Sequence, residues 1–173
     1  MKSKAPALAL MSLLFFAGCG RQPALTPGKS AVAIDRKTFS MSLPSGWVED
    51  TKDDMYDPDN FVMFENEESC VFVVFIGKQS AGMTVEMVME RQKEAYAKKI
   101  TDLTTSTFNS WANYRGEGVE LTGKIGGALK YQTRIFGFTN SDNVCAIIEA
   151  AIPADWKTYG GDYEAIRQSF KLK

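Results

Sequence analysis

Residues 70–76, Cys70-Val71-Phe72-Val73-Val74-Phe75-Ile76, put no polar side chain on either side of an extended chain. Side chains of a strand alternate between two faces, so a run that is apolar on both needs cover above and below. That excludes a two-layer fold with one wet sheet face around this segment and predicts a central strand in a layered fold, bounded at 69–77.

The neighbouring patterns supply the other layers. Phe39, Met41 and Leu43 alternate with Ser40 and Ser42, and Pro44-Ser45-Gly46 forms a turn before Trp47, which predicts a first hairpin. Residues 61–66 form a further strand. Over 85–99, Val85, Val88, Met89, Gln92, Ala95 and Tyr96 recur at helical spacing behind Thr84, a hydroxyl residue suited to the N-cap. Four more strands are predicted at 103–112, 116–123, 128–139 and 143–152, separated by Gly116, Gly126-Gly127 and Asn140-Ser141-Asp142, as a meander of hairpins. Tyr159-Gly160-Gly161 then breaks the chain, and Asp162 caps a closing helix through Ser169 with Tyr163, Ile166 and Phe170 on one side. The order is α+β, with a mainly antiparallel sheet covered by helices on both faces.

The N-terminus carries an export signal. Lys2 and Lys4 precede an apolar run from Ala5 to Phe16, and Ala17-Gly18 precede Cys19. The run is about a dozen residues where a membrane span needs about twenty. The small pair before a cysteine resembles the lipobox of bacterial lipoproteins, with Phe16 where an aliphatic residue is usual. Residues 1–18 are therefore expected to be removed and Cys19 to be acylated, with several chains giving a firm tether. Residues 19–30, with Pro23, Pro27, Gly28 and Ser30, form a flexible tether, and 31–173 form one domain. Gly20 after the cysteine favours the outer membrane, facing the periplasm, in a host with two membranes. Loss of Lys2 and Lys4 takes the 20 basic residues to 18 against 21 acidic, a balance that gives nucleic acid no electrostatic purchase.

Phe39-Ser40-Met41-Ser42-Leu43-Pro44-Ser45-Gly46-Trp47, the mid-chain helix, and Tyr163-Glu164-Ala165-Ile166-Arg167-Gln168-Ser169-Phe170 together resemble the PsbP-like superfamily, including the bacterial DcrB-like envelope proteins, over about residues 35–172. The resemblance implies an α/β/α sandwich whose members bind or assist other proteins: photosystem subunits, a Ran-binding transport factor, chaperone-like adaptors for secreted toxins. It implies no enzyme and no cofactor, and its motifs are structural.

Chemistry is bounded mainly by exclusion. The chain has no histidine, which removes Ser-His-Asp and Cys-His catalysis and histidine-based metal sites. Asp53, Asp54, Asp57, Asp59 and Asn60 cluster near Glu65, Glu67 and Glu68. An EF-hand loop counted from Asp57 reaches Glu68 at its twelfth position but has Phe61 at a ligand position and Val62 where glycine is needed, so this is a solvated acidic loop. Met83, Met87 and Met89 are expected as helix packing rather than a copper site. Gly123-Lys124-Ile125-Gly126-Gly127 lacks the spacing of a phosphate loop and forms a hairpin turn. Glu149 interrupts the apolar strand Val144–Ile152 and needs a partner, for which Arg134 across the turn is the candidate in a structural ion pair.

Cys70 and Cys145 remain after Cys19, an even number in an oxidising compartment, so they are a candidate disulfide closing a loop worth roughly 4 kcal/mol. Two separate buried thiols are the alternative. The function expected is that of a non-catalytic, lipid-anchored envelope accessory protein acting on an unidentified envelope or secreted protein, with no cofactor, metal or nucleic acid. The alternative is an immunity or inhibitor lipoprotein against a secreted toxin. A carboxylate-dependent hydrolase is more distant and would require two facing carboxylates in a concave pocket.

Overall fold

In a computed structural model, the structure describes residues 31–66 and 70–173. The export segment 1–18, Cys19, the tether to Ser30, and Glu67 and Glu68 of the acidic cluster lie outside the described residues.

A seven-stranded antiparallel sheet forms the centre. Its strands are β3 (Trp47–Glu49), β4 (Phe61–Asn66), β5 (Val71–Lys78), β6 (Ile100–Trp111), β7 (Tyr114–Ile125), β8 (Leu129–Asn140) and β9 (Asn143–Ala151), in the spatial order β3-β4-β5-β9-β8-β7-β6. The last four make the expected meander, turning at Gly126 and Gly127 with φ of 60° and 77° and at Ser141-Asp142, but the first turn falls at Ala112-Asn113 and the expected separator Gly116 lies inside β7. Positive φ at two successive positions explains the double glycine.

β5 and β9 run through the middle with both faces buried, as the apolar run at 70–76 requires. Val71 and Val73 face one side with Tyr131, Ile135 and Ile148, and helix α1 (Val85–Ala97) covers them with Met89 and Tyr96. Its N-cap is Thr84, whose Oγ1 accepts from the Met87 N–H at 3.1 Å. Close seating of α1 depends on Gly137 of β8, where an added Cβ would lie 2.7 Å from Val85 Cγ1 and 2.9 Å from Met89 Sδ.

Phe72, Val74 and Ile76 face the other side, with Phe136, Phe138 and Ile147. Helix α2 (Pro153–Ser169) covers this face through Tyr163 and Ile166, beside a second sheet in the order β1-β2-β10, made of β1 (Val32–Asp35), β2 (Phe39–Leu43) and β10 (Lys171–Leu172). The fold is α+β, with helices on both faces of a mainly antiparallel sheet.

Three further expectations do not hold. β2 and β3 are not a hairpin: β2 pairs with β1 and β10 while β3 pairs with β4. The turn at Gly46, with φ of 92°, passes the chain from one layer to the other, because Phe39, Met41 and Leu43 bury against α2 whereas β3 extends the central sheet.

Gly160-Gly161 does not break the chain either. α2 starts at Pro153, a residue suited to a first helical position, and runs through both glycines. Asp162 lies inside the helix and accepts from Trp47 Nε1 at 2.8 Å, pinning β3. Packing at Tyr163 and Ile166 outweighs the cost of about 1 kcal/mol per glycine relative to alanine. A Cβ at either glycine meets nothing within 4 Å. Gly160→Ala with Gly161→Ala should therefore stabilise residues 31–173 by about 1–2 kcal/mol in urea unfolding; a loss of stability would show that the glycines serve a purpose in the helix.

Cys70 and Cys145 are free and buried, so the candidate disulfide is not formed. Both contribute to the core on the α2 side of the sheet. The register sets Cys145 opposite Ile76 and Val71 opposite Ala150. Six strand positions, roughly 20 Å at the usual rise, therefore separate the two thiols, where a bridge needs Cα atoms within about 7 Å.

Candidate functional site: a closed ion cluster and an open groove

Glu149, on the α2 face of β9, is 1% exposed, and its carboxylate is held by three groups. Arg167 of α2 grips it with two parallel bonds, Nε to Oε1 and Nη2 to Oε2, both 2.7 Å. Trp111 Nε1, at the end of β6, donates to Oε1 at 2.8 Å, and Arg134 Nη1 approaches Oε2 at 3.3 Å. The expected Glu149–Arg134 pair is present, since β8 and β9 place the two residues directly opposite. Arg167 was not anticipated as a partner. Within α2 it meets Glu164 at i,i+3 spacing, 3.1 Å away, and only the approach of α2 to β9 gives it the stronger contact.

The partners Trp111, Arg134 and Arg167, but not Glu149 itself, border a cleft of about 390 Å³ between the β6–β7 turn and α2, lined also by Asn113, Glu164 and Gln168. Its charges are already spent on one another. Arg134 reaches Glu120 at 3.5 Å and lies 4.4 Å above the ring of Phe108. Burial opposes the charge on Arg167, but hydrogen bonding and attraction from Glu149, then Glu164, hold its pKa above the ordinary value. Bonds from Gln168 and then Arg167 hold the Glu164 carboxyl below its usual range. Both guanidiniums already face carboxylates, with which an incoming anion would have to compete, and Glu164 is no proton donor at neutral pH. The cluster ties the second helix to the sheet.

The remaining sequence candidates are structural in the same way. Asp53 accepts from the Met55 N–H, Asp57 from the Asp59 N–H and Asn60 Nδ2, and Asp59 from the Lys37 N–H, so these carboxylates brace their own loop and its neighbour. Met83 packs over Gly77, where a Cβ would stand 2.1 Å from its sulfur; Met89 is buried and Met87 exposed, so the three thioethers do not converge. Burial pushes the thiols of Cys70 and Cys145 up to about 12, which leaves no thiolate nucleophile at neutral pH. Among the described residues, no three His, Cys, Asp or Glu side chains gather as a metal site, and no helix is long and apolar enough to cross a membrane.

The open surface lies on the opposite face. α1 sits across β8 and β9, and the sheet continues past it through β7 to β6. Among the described residues this leaves a groove of about 530 Å³, walled by Met89, Lys93, Glu94 and Ala97 of α1 and by Leu103, Thr105 and Thr107 of β6, with Val119 and Leu121 as floor. Leu103 is 41% exposed there. Sequence reasoning missed this groove, although a signal was present: from Thr101 to Thr107, β6 carries polar residues on both alternating faces, as an uncovered edge strand does.

No family model and no curated protein sequence matches the chain. Its fold has counterparts among solved structures. Cyanobacterial PsbP (CyanoP) from Synechocystis sp. PCC 6803 superposes with a TM-score of 0.51 at 13% identity, covering 88% of this chain and 98% of that one. LpqN, described as involved in cell envelope biogenesis of Mycobacterium tuberculosis, gives a TM-score of 0.51 at 8% identity, covering 83% and 91%. The chain has a PsbP-like fold.

Proposed function

We propose that this chain is a non-catalytic accessory protein of the cell envelope, anchored through a lipid on Cys19, that binds another protein in the groove between α1 and the β6–β7 end of the sheet. The carrying observation is the contrast between the two concave surfaces: the cleft at Glu149 has its charges paired internally, whereas the groove leaves apolar and hydroxyl surface uncovered beside Leu103. The PsbP-like fold and the envelope role stated for LpqN support the reading, as does the Ala17-Gly18-Cys19 junction.

The anchor and the binding surface are tested separately. A palmitate analogue fed to cells should label the wild-type chain and not Cys19→Ser; equal labelling of the two would remove the anchor from the account. For the surface, a photo-crosslinking amino acid at Glu94, exposed on the α1 wall, should give in intact cells a discrete adduct with one envelope or secreted protein. The same group at Thr158, exposed on α2, should not. Adducts of equal yield from both positions would reject the groove. Turnover of a hydrolase substrate by pure protein, abolished by one point substitution, would reject the non-catalytic role.

A further inference from the structure

The two edges of the central sheet differ. Among the described residues β3 closes one side with only three residues, Trp47–Glu49, whereas β6 leaves twelve, Ile100–Trp111, along the other. A free edge presents unpaired backbone N–H and C=O groups, which proteins usually guard with lysine, proline, an inward charge or a bulge. β6 has its register shifts between Thr101 and Thr104 and between Phe108 and Ser110. Between them runs Thr104-Thr105-Ser106-Thr107-Phe108, regular in pairing and without charge or proline. The one charged residue of the strand, Asp102, lies outside this run and is held by Lys124 at 2.7 Å.

We infer that this edge pairs with β6 of a second copy of the chain, antiparallel, about a twofold axis at Ser106. The sequence of the run selects that occupant. Pairing centred on Ser106 sets Thr105 opposite Thr107 of the second copy, and Thr104 opposite its Phe108. No charge is buried and no like charges meet, and hydroxyl side chains face each other as they do in stable cross-strand pairs. A heterologous strand has no charge pattern here by which to be chosen, whereas an isologous contact needs only a self-complementary edge. The axis runs perpendicular to the sheet, so both α1 helices fall on the same face. Thr105 and Thr107 line the groove, and the grooves of the two copies therefore join into one trough across the axis. This inference is independent of what the groove binds.

The test uses the full chain in cells. Ser106→Cys, treated with a short bismaleimide, should give a product of twice the chain mass, at least about tenfold above both Thr158→Cys and the unsubstituted parent. The parent controls for Cys19, and Cys70 and Cys145 are buried away from the reagent. Adding Thr105→Lys and Thr107→Lys, both at exposed positions, sets lysines opposite one another and should abolish the product while leaving the circular dichroism spectrum unchanged. A double-mass product that the lysines do not reduce, a yield no higher than at Thr158, or an adduct of Ser106→Cys with a different protein would each overturn the pairing.

Discussion

Replacing Arg167 by methionine is expected to destabilise residues 31–173 by about 3–5 kcal/mol, the usual penalty when one partner of a buried ion pair is removed. Arg167 supplies two of the shortest bonds to Glu149, and the carboxylate has almost no access to water. Methionine preserves much of the side-chain volume, so the loss reports the stranded charge rather than a void. Arg134 alone, at 3.3 Å and shared with Glu120, does not compensate. The sign of a second substitution then identifies the cause. Glu149→Gln removes the stranded charge while keeping an oxygen for Trp111 Nε1, so the double variant should be more stable than Arg167→Met alone. Urea unfolding of the four proteins in the cycle measures this. An additive loss would mean that Arg167 acts through packing alone.

Phe170→Ala is expected to cost a similar amount, about 3–5 kcal/mol. Phe170 is 3% exposed; it stacks on Phe39 with ring centroids 5.9 Å apart and meets Trp111 and Tyr114 edge-on at 5.4 and 5.9 Å. Those partners come from β2 and from both sides of the β6–β7 turn, so one ring joins the small sheet, the central sheet and the end of α2. Next to it, Ser169 Oγ accepts from the Ser42 N–H at 2.9 Å. Thermal and urea unfolding should both shift. A change below about 1 kcal/mol would mean that the segment after α2 frays without consequence.

The sequence made some of this architecture legible. The two-faced apolar run at 70–76, the helical spacing behind Thr84 and the turn residues of the meander are local signals, and the corresponding elements are present. What escaped depends on distant partners. β1 and β10, of four and two residues, have no apolar alternation of their own and exist because β2 lies between them. The helical course through Gly160-Gly161 is set by the core beneath α2, against local propensity. Glu149 was recognisable as a buried charge, and the register brought Arg134 to it. Its second arginine depended on how α2 docks, which no spacing records. The groove has the same origin: the sheet extends past α1, and only the polar character of β6 hinted at it.

If the groove and not the cleft beside Glu149 carries the proposed function, a substitution on the groove wall should matter and one at the cleft rim should not. With the partner recovered through Glu94, binding to wild type, Ala97→Arg and Asn113→Arg tests it most directly. Ala97 is exposed on the groove wall and Asn113 is exposed at the rim of the cleft, so neither substitution disturbs the core. Ala97→Arg should weaken binding by at least about tenfold, or roughly 1.4 kcal/mol, and Asn113→Arg should leave it unchanged. Binding lost with Asn113→Arg and retained with Ala97→Arg would contradict it.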